Sequence, residues 1–429
     1  MHKPIVYREH QRYSEANSGT MTEEEFKWIL QENDVQLYGT TDGFMGAPTH
    51  LGINKSLEAS YYIGADWLIE KKLALVVLPK VEKIDFVQML VGALSIGGQE
   101  EADYFAQCYG IEMGQAPIDN KAAQNLLTPL MLIHYLSLVE RLVRYGLRKD
   151  YRTVEENMRG KVKGHLMLQR HLRMNVTAKR EDMAYCRYQV YTEDIPINRL
   201  LKRALVFAEK MLLEYMAHHA SYAAIQCKMN RVMTAFDGVS DEMEISQVHH
   251  VPQNALYRHY SDAVKVAKAI LRRYDYSLSN ISNAYSETPP FWIDMSRLYE
   301  MYVLGKLREQ YANQILFQVQ GYGQSKADYV HVGEKLIMDA KYKPRYMKSN
   351  EGLLDDVREI SGYARDKKLL KAGGMDADGN DEVRCVIVYP TEANSQKASD
   401  MSKPLWERAD DIKEFRNFRK IGMEVPMMK

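Results

Sequence analysis

Residues 326–345 constrain this chain more than any other stretch: Lys-Ala-Asp-Tyr-Val-His-Val-Gly-Glu-Lys-Leu-Ile-Met-Asp-Ala-Lys-Tyr-Lys-Pro-Arg. They predict two strands joined by a tight turn. Val330 and Val332 lead into Gly333-Glu334, and Leu336, Ile337 and Met338 lead out. Glycine at the first central position suits a type II′ hairpin, because it accepts positive φ without steric cost. Side chains alternate along a strand, so Asp339 and Lys341 share one side and Ala340 points away. Asp328 begins the first strand and can approach Asp339 across the bend. Two carboxylates and an ammonium on one surface serve packing poorly. They suit a site that holds a hard divalent cation by carboxylate oxygens, with a lysine beside it.

A solvated hairpin with charged outward residues is the plain alternative, and Asp-x-Lys alone does not exclude it. Three features weigh against it. Leu336-Ile337-Met338 reads as a strand buried on both faces that then ends in charge. An upstream helix carries Glu300. A downstream segment, Asp356 to Ala364 and including Tyr363, reads as a helix that backs the site. This order of helix Glu, Asp, Asp-x-Lys and helix resembles the PD-(D/E)xK nuclease core. Ala327 stands where that name has proline, a backbone preference and not a ligand.

A chain of 429 residues holds two or three domains. The reading sets them at 1–125, an α+β domain, 126–280, a basic and helical middle domain, and 281–429, an α/β domain. The fold class is thus mixed, multidomain α/β. Hydrophobic content of 46% and charged content of 27% fit a globular protein. Net charge is zero, so no overall basic field points to nucleic acid bound tightly by this chain alone. Cys108, Cys186, Cys227 and Cys385 are far apart without a CxxC spacing, which predicts reduced thiols and a cytoplasmic setting. No apolar leader opens the sequence. Leu126 to Val139 is apolar but shorter than the roughly 20 residues of a membrane span, so a buried helix is expected and no membrane partner.

In chain order, Pro4 to Tyr7 predicts a strand, and Thr22 with Glu25 marks a capping box for a helix through Leu30. Gly39 to Gly52 reads as loop. Ser60 to Ile69 and Leu73 to Pro79 read as strands, the second of them central, and Asp85 to Leu94 as a helix. Thr128-Pro129 predicts a helix start. From Arg141 to Arg180 the chain is rich in Lys and Arg, which predicts either a solvated face or a phosphate track that includes Arg159, Lys161 and Lys163. Residues 186–275 read as helical, with Asn198 as a cap. His218-His219, His249-His250 and His259 match no metal spacing. Ser277 to Pro290 is the best domain boundary. Asp294 caps a helix through about Gln310, with Glu300 off its apolar stripe. A helix near Asp356 to Leu370, a loop from Gly373 to Asp381 and a strand at Val383 to Tyr389 complete the order. No GxxxxGK-Ser/Thr motif occurs, so the chain has no nucleotide site of the P-loop kind.

With these residues in view, the chain resembles the McrC family, the nuclease subunits of McrBC-type 5-methylcytosine-specific restriction systems. Asp294-Met-Ser-Arg-Leu-Tyr-Glu300 resembles the family's Met-x-x-Leu-Phe-Glu helix, and Met338-Asp-Ala-Lys-Tyr-Lys343 its catalytic strand. Arg159-Gly160 and Asp194-Ile-Pro-Ile-Asn198-Arg199 look like landmarks of its middle region. Glu359 stands where the family often has Gln. The resemblance implies Mg²⁺- or Mn²⁺-dependent cleavage of double-stranded, methylated DNA. Asp328, Asp339, the Ala340 carbonyl and Glu300 are implied around the metal, with Lys341 as the catalytic lysine and Lys343 and Tyr363 as phosphate contacts. It also implies a McrB-like AAA+ GTPase ring as partner, docked by the first domain. The alternatives are a non-catalytic adaptor of such a motor and a stand-alone repair nuclease.

Overall fold

Aliphatic runs become strands throughout the first and last parts of the chain. The computed structural model describes residues 4–13, 21–35, 37, 51–81, 83–94, 96, 99–119, 121–216, 222–242, 258–275, 287–323, 325–347, 352–378, 383–392 and 396–427. His218-His219, His249-His250, and most of the Gly39–Gly52 and Ser277–Pro290 stretches lie outside them. The strands β1 (Ile5–Arg8), β2 (Tyr62–Ile69), β3 (Leu73–Leu78), β4 (Tyr109–Ile111) and β5 (Ile118–Asp119) come first. A middle group follows: β6 (Asp150–Arg159), β7 (His165–Leu166) and β8 (Met183–Thr192). The last group is β9 (Glu287–Thr288), β10 (Phe291–Asp294), β11 (Ile315–Gln320), β12 (Lys326–His331), β13 (Leu336–Ala340), β14 (Arg384–Thr391), β15 (Asp410–Asp411) and β16 (Phe418–Glu424).

The chain divides into two compact units, Met1–Leu130 with Tyr285–Lys429, and Met131–Ala284. The expected breaks near 125 and 280 fall close to these, but the first and last segments form one unit. The reason is β10. The first sheet runs β1-β3-β2-β10-β4, so a strand from the last segment fills the gap between two from the first. Trp292 pairs with Gly64 on one side and Gly110 on the other. Both glycines are dictated by close approach. A Cβ on Gly64, at φ +141°, would lie 2.1 Å from the Phe291 carbonyl oxygen, and one on Gly110 would lie 2.7 Å from the Trp292 ring. Ile5, Tyr7, Phe26, Leu30, Leu73, Leu75 and Val77 bury one face of this sheet. The capping box at Thr22 and Glu25 starts the Glu23–Glu32 helix as the sequence predicts.

Asp294 ends β10 and caps the next helix, Met295–Tyr311, by accepting the Arg297 N–H at 3.0 Å. That helix leads to the second sheet of this unit, ordered β11-β12-β13-β14-β16-β15. All five residues of β13 are buried, because it pairs antiparallel with β12 and parallel with β14. A parallel pair needs a crossover, and the crossover carries helices. Ile360, Leu369 and Leu370 from it pack against Ala327, Val330 and Ile337, each fully buried aliphatic side chain contributing about 1.5–3 kcal/mol. The single helix expected at 356–370 is two, Leu353–Tyr363 and Lys367–Ala372. Asp366 breaks them by accepting the Lys368 N–H at 2.9 Å. The β12–β13 turn also departs from the expected type II′. His331 pairs with Leu336, leaving a four-residue turn, and positive φ falls on Lys335, not Gly333.

In the other unit, ten residue pairs from Asp150↔Thr192 to Arg159↔Met183 join β6 and β8. Residues 186–192 are therefore strand, not helix. The helices Pro196–Met216, Tyr222–Thr234 and Arg258–Asp275 follow. Asn198 lies inside the first of them, not at its cap. Its amide donates to the Arg148 and Glu193 carbonyls at 2.8 Å each, and its oxygen accepts from Tyr260. Thr128-Pro129 is likewise no helix start, since the helix Lys121–Tyr145 runs through it. Its stretch Leu126–Tyr145 is long and apolar enough by length and composition to cross a membrane, longer than the sequence reading allowed, and is mostly buried.

Candidate functional site

β13 brings its charge to the carboxyl end of a buried parallel strand, where open α/β sheets expose their sites. Asp339 is 2% exposed. Alternation puts Lys341 on its side, and the Lys341 Nζ lies 2.7 Å from Asp339 Oδ2 and 2.8 Å from Glu359 Oε2. Asp328 comes from β12. Its Oδ2 accepts the Ala340 N–H at 2.9 Å, one residue along β13 from Asp339, and the two carboxyls influence each other electrostatically. Strand pairing thus places Asp328 of β12 beside the Asp339–Ala340 end of β13.

Glu300 reaches the same place from the Met295–Tyr311 helix, whose backbone is fixed to β12 by the Tyr329 hydroxyl donating to the Glu300 carbonyl at 2.7 Å. Two residues that sequence reasoning missed hold its carboxylate. Tyr104 donates a short hydrogen bond to it. Gln318 donates its amide to Glu300 Oε2 at 3.1 Å and to Asp328 Oδ1 at 3.0 Å, bridging the two acids. Gln318 lies between the β11–β12 pairs Phe317↔Tyr329 and Val319↔Ala327, with φ +50°. Among the described residues no three His, Cys, Asp or Glu side chains form a ready metal-binding group. The direct carboxylate pair is therefore Asp328 and Asp339, with Glu300 joined to it through Gln318.

Burial raises the proton affinity of all three acids. Asp328 is pushed up to about 7 by burial and then by Glu300. Glu300 is pushed up to about 7 by burial, with Asp339 adding to it and Tyr104 opposing. Asp339 lies well above the usual carboxylate range, through burial and the neighbouring Asp328. Burial works against the Lys341 charge, but Asp339 and Glu359 on either side outweigh it and raise its pKa. Buried acids this close together resist ionising at once.

Over this centre opens a cleft of about 970 Å³, lined by Lys80, Ser296, Glu300, Ala340, Lys341 and Lys343 among others. Lys80 follows β3 of the first sheet. Its Nζ donates to the Tyr342 carbonyl at 2.8 Å and lies 3.9 Å over the Tyr342 ring, fastening the first sheet to the segment after β13. Lys343 is held by Asp356 at 2.7 and 2.9 Å. Tyr363 donates to Glu359 at 2.9 Å. Arg159, Lys161 and Lys163 belong to the other unit, exposed at the end of β6 and in the loop beyond it. Arg159 pairs with Asp182 at 2.7 Å, and Lys163 lies over the Tyr188 ring at 4.2 Å.

Fold and site together define a mixed α/β protein with a buried acidic pair and an ion-paired lysine at the end of a central strand. The chain belongs to the McrBC 5-methylcytosine restriction system component family, whose family model matches residues 57–357. Among solved structures it is similar to a chain of the refined half-complex from the tetradecameric assembly of Thermococcus gammatolerans McrB AAA+ hexamers with bound McrC. That likeness has 15% identity, covers 98% of this chain and 94% of that chain, and has a TM-score of 0.40. A chain of the Thermococcus gammatolerans McrBC complex is 15% identical over 72% of this chain and 89% of that chain, with a TM-score of 0.30. A search of curated proteins found no match.

Proposed function

We propose that this chain is a McrC-like nuclease subunit: a Mg²⁺-dependent PD-(D/E)xK endonuclease that cuts double-stranded, methylated DNA together with a McrB-like AAA+ GTPase ring. The observation that carries this reading is the meeting of Asp328, Asp339 and Lys341 at the end of one buried strand, beneath an open cleft. The donor set fits the metal. Mg²⁺ is bound by one or two carboxylates with waters and substrate phosphate completing its shell, and hard oxygen donors are what Asp328, Asp339 and the Ala340 carbonyl offer. When bound, the metal polarises the scissile phosphate and acidifies a water. The protein's own groups do the rest. Lys341 presents a fixed positive charge to the oxyanion that develops on phosphorus. Gln318 orients Asp328 against Glu300. Lys343, held by Asp356, adds a positive charge to the cleft wall, and Arg159, Lys161 and Lys163 remain candidates for DNA backbone contacts. The lack of a P-loop leaves GTP hydrolysis to the partner, in keeping with the family's division of labour.

Asp339→Ala and Lys341→Ala test this. Cleavage of methylated plasmid and GTP turnover by the cognate ring are measured on one preparation. Cleavage should fall about a thousandfold or more, equal to about 4 kcal/mol, since metal and charge stabilisation act on the chemical step. GTP turnover should stay near wild type. Cutting at the wild-type rate would move the adaptor reading to first place.

A further inference from the structure

A second groove, of about 810 Å³, begins where the Lys341 ion pair ends, since Glu359 and Tyr363 are among its lining residues. Its remaining wall is cationic: Arg365, Lys367, Lys368 and Lys371 all line it and all are exposed. Lys367 with Lys371, and Lys368 with Lys371, stand at the i,i+4 and i,i+3 spacings that place side chains on one helix face. Like charges at those spacings weaken a helix, so helix stability does not account for them. The acids nearby offset part of this charge, and among the described residues no carboxylate lining the groove pairs directly with Arg365, Lys368 or Lys371. Asp378 pairs with Lys367, and the Asp366 carboxylate is taken up by the backbone N–H groups of Tyr322, Lys368 and Leu369.

Across the groove stands Tyr322, at the tip of the β11–β12 hairpin and 87% exposed. Its ring lies in solvent, yet its backbone is fastened. The Tyr322 N–H donates to Asp366 at 2.6 Å, the Gly321 N–H to the Ser325 carbonyl at 2.9 Å, and Lys368 Nζ to the Gly321 carbonyl at 3.3 Å. The approach is close: a Cβ at Gly321 would lie 2.3 Å from the Asp366 carboxylate, which would have to move. A rigidly mounted, solvent-facing aromatic beside a row of cations matches the chemistry of a nucleic-acid strand. Lys and Arg neutralise phosphates, and an aromatic face stacks on any base.

We propose that this groove carries the DNA strand leading to the Asp339–Lys341 centre, with phosphates on Arg365, Lys368 and Lys371 and the Tyr322 ring against a base. The proposal rests on the nuclease reading for the nature of its ligand. Both interactions are indifferent to sequence, so the groove would hold whatever DNA is delivered to it.

The test uses the full chain, a fluorescein-labelled duplex, low salt, and EDTA so that the duplex stays intact. Lys368→Glu with Lys371→Glu should lower affinity at least tenfold and flatten the slope of log K against log salt by about two, since each phosphate contact contributes about 0.9. With 2-aminopurine in a single-stranded overhang of the duplex, where a base face is free to stack, Tyr322→Ala should abolish the fluorescence change on binding, and Tyr322→Phe should retain it. Wild-type affinity and slope in the double variant would overturn the proposal, as would a wild-type chain that does not bind the duplex. Normal DNA binding with lost stimulation of the ring's GTPase would make the groove a protein interface instead. Cutting by Asp339→Ala, measured separately, reads on the nuclease assignment alone.

Discussion

Gln318 holds φ +50° in the middle of a strand, a conformation that costs a non-glycine residue about 1–3 kcal/mol. Its amide lies between Glu300 and Asp328, so the strain coincides with a task. Gln318→Gly should relieve the backbone and remove the bridge. We expect a chain as stable as wild type or more so, whose thermal midpoint rises less on adding Mg²⁺, because ligand stabilisation follows affinity. Calorimetry with and without Mg²⁺ checks it. The acids set a pH dependence of definite sign. Asp328 and Glu300 are raised to about 7 in the fold from ordinary values of 3.8 and 4.5. The folded state therefore favours their protons, and their contribution is complete below about pH 4 and lost as pH rises through about 7. Without metal, wild type should lose stability across that window relative to Asp328→Asn. Equal pH profiles from denaturant titrations of the two would contradict the burial of Asp328. Asp339 and Lys341 were legible in the sequence because charge ends an apolar run there, Glu300 because it leaves an apolar stripe, and Asp328 because it opens the strand before the turn. Gln318 and Tyr104 were not. They are neutral, lie in no motif, and meet the acids only through sheet pairing and tertiary packing.

At the scale of elements, β10 has the largest consequences. Gly64→Ala would drive a methyl into the Phe291 carbonyl at a backbone angle alanine rarely adopts, and should cost about 3–5 kcal/mol, at the severe end for single substitutions. Urea denaturation measures it. A chain ending at residue 280 loses β10 and leaves β2 and β4 with open edges, so it should self-associate in size-exclusion chromatography. The partner-docking role expected of residues 1–125 is for this reason best tested by point variants in the full chain. Continuous apolar runs made β3, β13 and β14 readable, and the Asp294 cap marked the Met295–Tyr311 helix. β8 was missed although Cys186 to Thr192 alternate between less and more exposed residues, because its less exposed face is only half-buried and the helices after it dominate the apolar pattern of the region. The break at 364–366 has neither glycine nor proline, and the capping aspartate was its one signal.

For the whole molecule, zero net charge concealed how charge is distributed. The basic run 141–180 meets acids brought to it by folding. Arg152 and Arg199 share Asp194, Arg170 and Arg187 share Glu155, and Lys149 pairs with Glu193. A count along the sequence sees the cations but not that Glu155 inside the run and Glu193 and Asp194 just beyond it are their partners. The grouping of segments was hidden for a related reason: composition marks boundaries in the chain but not which segments rejoin. That rejoining has a consequence for biosynthesis. Chains emerge from the ribosome amino end first, and domains generally fold as they appear. Here the first sheet must wait for residues 291–294, after the whole of Met131–Ala284 has been made. Until then β2 and β4 stand beside a vacant strand position, and the middle unit can complete its own fold while its host is unfinished. Nascent chains arrested before residue 290 should be open to protease in the segment 57–111 and closed to it within 150–192.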